Sequence, residues 1–289
     1  MLTLKDGTRL AVSEYGEGPV TLVLMHGWTL YQRNWWRQVE ALRDVDGLRI
    51  VTYDHRGHGR SDPAPKGTAT IAQCADDLVE VLEQFAGPVV LAGHSMGGMT
   101  IMALAERHPD VFADRVRGVA FVSTAAGSLG QLTYGLPRLL RPLVNTLEAS
   151  VSRQFVRAIG RTHRIPAYAK PSLRRLMLGD RPSRQMLAEV LAPIAEVPTA
   201  VLDFRPTFDD HDRLAALAAC HDIPVVVMSG TRDRLLPMAY SRRIADEIPG
   251  AELVLAPGAG HMLMVERPEL VTDHLRRLVA KVASADRTA

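Results

Sequence analysis

Val89-Val90-Leu91-Ala92-Gly93-His94-Ser95-Met96-Gly97-Gly98 is the stretch that decides the fold. Its first four residues are an unbroken apolar run, the pattern of a strand buried on both faces. Its second half is a Gly-x-Ser-x-Gly element that opens a helical pattern, Met96–His108, ending before Pro109, which cannot continue a helix. Such a match means little alone; its place between a strand and a helix gives it meaning. A strand that reverses this sharply into a helix strains the backbone at Ser95 and leaves no room for side chains two residues to either side. Gly93 and Gly97 meet that demand. The turn presents the Ser95 hydroxyl at the carboxyl end of the sheet, where ligands bind in open α/β folds.

Outward from this stretch the same alternation repeats. Strands are expected at Val20–Met25, Arg49–Tyr53, Val116–Val122, Pro224–Ser229 and Ala251–Leu255, and helices at Ile71–Phe85, Met238–Ile248 and Pro268–Val282. Met1–Leu4 and Leu10–Tyr15, joined across Asp6-Gly7, read as a hairpin on the sheet edge. The class is α/β: a mostly parallel central sheet of about eight strands flanked by helices.

One segment breaks the rhythm. Residues 126–206 hold no strong strand run and are cut by seven prolines from Pro137 to Pro198. They read as a helical cap inserted into a core made of residues 1–125 and 207–289. The insertion carries 12 Arg and Lys against 5 Asp and Glu, a net +7 in a chain of net +2, so the core is at −5. That basic excess fits either attraction of anionic substrates or a solvated outer face that offsets an acidic body.

Composition excludes other classes. With 47% hydrophobic and 23% charged residues, the 289-residue chain reads as globular, with no overall charge that calls for nucleic acid or an anionic membrane. The opening Met-Leu-Thr-Leu-Lys lacks the features of a secretory signal, and no apolar run approaches a membrane span. Cys74 and Cys220 lack metal-ligand spacing and are expected as buried free thiols in a reducing cytoplasm, a single disulfide between them being the alternative.

Four ordered motifs now stand together: His26-Gly27-Trp28, the run Asp54-His55-Arg56-Gly57-His58-Gly59-Arg60-Ser61-Asp62, the serine turn, and the late segments Gly230-Thr231-Arg232-Asp233 and Gly258-Ala259-Gly260-His261. In them the chain resembles the α/β-hydrolase family along essentially its whole length.

The chemistry follows from what a serine lacks. Its hydroxyl is a poor nucleophile until a base takes the proton. Of ten histidines, His261 follows an expected strand end, precedes the last helix and lies among glycines; the resemblance assigns the base to the same position. The base needs a carboxylate to fix its tautomer. Asp233 directly follows strand Pro224–Ser229, whereas Asp209, Asp210 and Asp222 follow no strand end so closely. The order Ser95, Asp233, His261 is the family's order.

The resemblance also implies an oxyanion hole from the backbone amides of Trp28 and Met96. It makes the Asp54–Asp62 loop structural rather than a metal site, and His26 a structural residue. A mainly hydrophobic pocket is expected from Trp28, Met99, Leu129, Leu132, Tyr134, Leu136, Leu235 and Met262. These expectations add up to a serine hydrolase acting on a small hydrophobic ester through a Ser95 acyl-enzyme, with neither cofactor nor metal. Carbon–carbon or lactone cleavage on the same triad is the alternative within the class, and a cap-gated ligand receptor the alternative outside it.

Overall fold

The computed structural model describes residues 1–129, 165–196 and 198–286. Seven strands form its main sheet: β3 (Val12–Tyr15), β4 (Val20–Met25), β5 (Leu48–Tyr53), β6 (Val89–His94), β7 (Val116–Val122), β8 (Val225–Gly230) and β9 (Glu252–Ala256), in the spatial order β3-β5-β4-β6-β7-β8-β9. All neighbours are parallel except β3, which runs antiparallel to β5 at the edge.

The expected hairpin is divided. Leu2–Thr3 (β1) and Arg9–Leu10 (β2) pair in a separate two-stranded ribbon, and only Val12–Tyr15 joins the main sheet. One continuous strand was expected over Leu10–Tyr15. Leu10 and Ala11 are instead buried, and Ala11 serves other partners, its carbonyl accepting from Asp54 and its amide donating to Ser61 Oγ.

The interior strands are apolar throughout because alternate side chains enter two different cores. Val23 and Met25 of β4, Val51 and Tyr53 of β5, Leu91 of β6 and Val227 of β8 point into one cluster, shared with α2 (Ile71–Leu82) and α3 (Met96–Arg107). Leu22, Leu24, Ile50, Val90, Ala92, Val226 and Met228 point into the other, shared with α1 (Trp36–Leu42). Local signals set the helix bounds. The Thr70 side chain caps α2 by accepting from the Gln73 amide. Pro109 opens α4 (Pro109–Arg115), where its missing N–H costs nothing.

Between β7 and β8 the described residues contain no strand. They hold α5 (Lys170–Met177), α6 (Arg184–Glu196) and α7 (Arg205–Asp209), the last running through the expected boundary at 206 and 207. This segment is seated in the body: Val201 and Phe204 join the first cluster, while Met177, Leu178 and Val190 join the second. The chain closes with α8 (Ala239–Glu247), α9 (Leu263–Glu266) and α10 (Pro268–Asp286). Both cysteines are buried free thiols, and no described helix is long and apolar enough to cross a membrane.

Strand order reverses beside β4. The chain goes from β4 to β5 on one side and then to β6 on the other, which opens a crevice at the carboxyl ends of β4 and β6. The residues after those two ends are His26-Gly27-Trp28 and Ser95.

The Asp54–Asp62 loop is held from within, as a structural loop requires. Asp54 accepts from the amides of Gln32 (2.7 Å) and Arg60 (2.9 Å). The fully buried Arg56 guanidinium pairs with Asp77 through Nε (2.7 Å) and Nη2, and with Asp6 and Thr68 through Nη1. No metal-binding group of His, Cys, Asp and Glu occurs among the described residues. Substituting Asp77 by Ala removes the buried partner of the Arg56 charge and leaves it only Asp6 at the edge, with an expected loss of about 3 kcal/mol on urea denaturation. A loss under about 1 kcal/mol would contradict the role given to the pair.

Three imidazoles are held neutral by burial. Desolvation pulls His26 down to about 4, His58 to about 3 and His211 to about 4. The unfolded chain, titrating near 6.5, therefore binds more protons than the folded one below that pH. The stability is fully present above pH 6.5 and is lost as pH falls. Near pH 5 these three groups alone give a slope of about 3.5 kcal/mol per pH unit. Denaturant midpoints measured from pH 7.5 down to 5 should fall with that sign, and a flat profile would contradict it.

Candidate active site

Ser95 occupies a backbone conformation, φ 51° and ψ −114°, that few non-glycine residues adopt. Neighbouring hydrogen bonds hold it there. Its amide donates to Val122 O (3.0 Å), and its carbonyl accepts from the amides of Gly98 and Met99 and from the Thr124 hydroxyl (2.7 Å). The turn is tight enough that a Cβ on Gly93 would stand 2.4 Å from backbone atoms of Gly97 and Gly98. One on Gly97 would meet Met25 O at 2.5 Å. Strand β6, helix α3 and the end of β4 thus touch backbone to backbone under the serine.

The His26-Gly27-Trp28 segment crosses directly over this turn. A Cβ on Gly27 would lie 2.8 Å from His94 Nδ1 and 3.1 Å from Ser95 Cβ. His26 fixes the segment: its Nε2 accepts from the His55 amide (2.9 Å), so Nδ1 carries the proton and donates to Gly27 O (2.7 Å). Both ring nitrogens are committed, which makes His26 a structural residue. The amides of Trp28 and Met96 donate to no acceptor among the described residues. The Trp28 indole donates to Val201 O (2.8 Å) and its ring meets Phe208 edge-on, tying this loop to the far end of the insertion.

On the other side of the crevice, Asp233 and His261 meet although they come from different loops. Asp233 Oδ1 accepts from the amides of Leu235 (2.9 Å) and Leu236 (2.8 Å), and Oδ2 accepts from His261 Nδ1 at 2.8 Å. The two residues are 5% and 1% exposed. With Nδ1–H committed to the carboxylate, His261 Nε2 is the nitrogen left with a lone pair. His94, the neighbour of Ser95, carries this ring: the imidazoles of His94 and His261 lie 4.7 Å apart, and His94 Nε2 donates to His261 O (3.0 Å). Burial, reinforced by the facing His261 ring, holds His94 far below the usual imidazole range, hence neutral.

The structure joins Asp233 to His261 and seats His261 against the residue preceding Ser95. No hydrogen bond links Ser95 Oγ to His261 Nε2, a contact that in enzymes of this kind commonly tightens only as substrate binds.

Of the expected pocket residues, Leu132, Tyr134 and Leu136 lie outside the described residues. Met99 is packed in the first core cluster and Met262 in the second, both buried. Leu129 is buried in the first cluster and Leu235 half-buried against the second. Adjacent Trp35 and Trp36 point opposite ways, Trp35 into the core and Trp36 to solvent at 43% exposure. Sequence reasoning missed His94 and Thr124 as supports. His94 sits inside the quoted motif, but nothing in its spacing shows which ring it meets.

Residues 20–268 match the alpha/beta hydrolase fold family. Among curated proteins the chain is 28% identical over 257 residues to the pimeloyl-[acyl-carrier protein] methyl ester esterase of Yersinia enterocolitica, covering 88% of this chain and 91% of that one. Among solved structures it superposes on a thermophilic esterase from Thermogutta terrifontis with a TM-score of 0.75 at 27% identity, covering 97% and 96% of the two chains. It also superposes on the enol-lactonase from Burkholderia xenovorans LB400, with a TM-score of 0.73 at 28% identity and coverage of 95% and 98%. Hydrolases are what these similarities support.

The steric account of the serine turn separates two kinds of glycine. Gly93→Ala forces backbone apart and should cost about 3 kcal/mol or more. Gly7→Ala, with φ +87° but nothing within 4 Å of the added carbon, should cost only about 1–2 kcal/mol. Equal losses in thermal or urea melts would contradict the crowding.

Proposed function

The chain belongs to the alpha/beta hydrolase fold family, and on that footing we propose that it is a serine hydrolase cleaving carboxylic esters in two acyl-transfer steps. The observation that carries this reading is the buried Asp233–His261 pair. Its 2.8 Å bond commits Nδ1–H to the carboxylate and leaves Nε2 as the base. The strained turn at Ser95, crossed by the loop ending in Trp28, supplies the nucleophile beside it.

In the first step Ser95 Oγ bonds to the ester carbonyl carbon while His261 Nε2 takes its proton. The carbonyl electron pair moves onto oxygen, where the amides of Trp28 and Met96 hold it; each donor of this kind is typically worth about 3 kcal/mol. Collapse breaks the bond to the alcohol oxygen, which receives the proton from His261. In the second step water attacks the Ser95 ester, His261 takes the water's proton, and collapse returns a proton to Oγ as the acid leaves. Asp233 keeps its charge throughout, steadying the imidazolium and its orientation.

Residues 126–206 act in this proposal as a cap over Ser95, and a small, mainly apolar substrate enters beneath it. Of the described cationic side chains of this segment, Lys170, Arg174, Arg175, Arg181 and Arg184 are exposed and Arg205 is half-buried in an ion pair with Asp209, which favours the solvated-face reading of the basic excess over a charged pocket. A lactone is the second reading, favoured by the similarity to the enol-lactonase. Its ring C–O bond breaks by the same two steps, and both halves stay in one product.

The test is a panel of short and medium acyl esters set beside lactones of matched carbon number. At least one ester should be turned over, Ser95→Ala should abolish its cleavage, and Asp233→Asn should lower kcat by about 10⁴-fold without unfolding the chain. Undiminished turnover by Ser95→Ala would overturn the mechanism. Activity confined to lactones would replace the substrate class.

A further inference from the structure

Helix α9 ends in a buried carboxylate that the mechanism does not use. Glu266 is 6% exposed, and each of its oxygens accepts a backbone amide: Oε1 from Gly260 (2.9 Å) and Oε2 from Gly179 (2.7 Å). Gly260 immediately precedes His261, whereas Gly179 belongs to the insertion, just beyond α5. One side chain therefore grips two chain segments that sequence keeps far apart.

The segments are also in direct backbone contact. Met177 O accepts from both His261 N (3.0 Å) and Met262 N (3.1 Å), and Asp180 N donates to Gly258 O (2.9 Å). A Cβ on Gly260 would stand 2.5 Å from Gly179 N, and one on Gly179 would stand 2.0 Å from Gly258 O. Nothing fits between residues 177–180 and residues 258–262. From the surface, Arg234 Nη1 donates to the carbonyls of Arg175 (2.9 Å) and Leu178 (3.3 Å), holding the insertion side of the contact.

We propose that Glu266 is a positioning residue for His261: its carboxylate bolts the loop bearing the base to residues 177–180 of the insertion and so fixes where the imidazole stands relative to Ser95. The inference rests on the Ser95–Asp233–His261 reading and deepens it. It makes the insertion part of the support of the base, as well as a cover for substrate. The geometry requires a carboxylate, since both partners are N–H donors and both oxygens must accept. Glutamine offers one oxygen and turns an NH₂ donor toward the other amide, which releases one segment.

A second consequence is electrostatic. The charged groups that bear on Glu266 are Arg267, whose guanidinium bonds Glu266 O (2.8 Å), and Asp233. Those facing the His261 ring are Asp233 and the neutral His94. Burial raises Glu266 above the usual carboxylate range, with Asp233 adding to the rise and the two amide bonds and Arg267 opposing it.

The experiment follows phosphonylation of Ser95 by a fluorophosphonate, read by intact mass, together with ester kinetics from pH 5 to 9. It compares the wild-type chain with Glu266→Gln, Glu266→Asp, Arg234→Ala and a Ser95→Ala control. Glu266→Gln is expected to slow phosphonylation and kcat by on the order of 10- to 100-fold, with KM within about twofold. Glu266→Asp keeps both acceptor oxygens but shortens the reach, so it should recover part of the rate lost in Glu266→Gln, again with KM near wild type. Arg234→Ala loosens the same segment from outside, and its phosphonylation should slow severalfold with KM unmoved. Wild-type protein that gains no adduct, or gains one that persists in Ser95→Ala, overturns the triad reading itself. A labelled wild type with Glu266→Gln unchanged in rate, or slowed only through KM, overturns the positioning role. If Glu266→Gln does not fold, Arg234→Ala decides, and a wild-type rate there overturns the proposal.

Discussion

The close backbone approach at the β6–α3 turn is the constraint on which the rest depends. Strand, turn and helix are forced within contact distance of the end of β4, and no side chain fits at Gly93 or Gly97. Ser95 is held at positive φ by bonds to Val122, Gly98, Met99 and Thr124. Because the sheet order reverses beside β4, this strained residue lies at the crevice where two loops diverge. Conformational strain at Ser95 is thus held by a sheet whose interior strands are buried on both faces.

Around that turn the fold builds a buried layer of imidazoles. His26 locks the loop that leads to Trp28, His94 carries the His261 ring, and desolvation keeps both neutral. A neutral His94 supports the His261 loop without adding a positive charge beside that ring. The same layer makes the protein sensitive to acid, since every proton gained by these rings must enter a buried site.

Much of this was legible in the sequence for a definite physical reason. Strands buried on both faces must be apolar without alternation, so Val20–Met25, Val89–Ala92 and Val116–Val122 could be found from composition alone. Ser95, Asp233 and His261 stand out in the sequence because each lies within a few residues of a strand end. The edge was harder. Val-Ser-Glu-Tyr of β3 has no apolar run, and pairing with β5 rather than burial makes it a strand. Pocket residues were harder still: an apolar side chain near a catalytic residue can face a cavity or the core, and Met262 faces the core. Glu266 was invisible because its partners are backbone amides, which carry no sequence signal. The resemblance to a family brought the oxyanion amides into view, and composition alone could not have done so.

In the proposed mechanism Ser95, the Asp233–His261 pair and the amides of Trp28 and Met96 converge on one reacting carbon. A crystal structure of the fluorophosphonate-treated protein would show whether they do, because the phosphonyl group mimics the tetrahedral intermediate. The expected result is a covalent bond from Ser95 Oγ to phosphorus, with the phosphonyl oxygen about 2.7–3.1 Å from both amide nitrogens and His261 Nε2 within hydrogen-bond reach of Oγ. An adduct on another side chain, or a phosphonyl oxygen turned away from both amides, would contradict it.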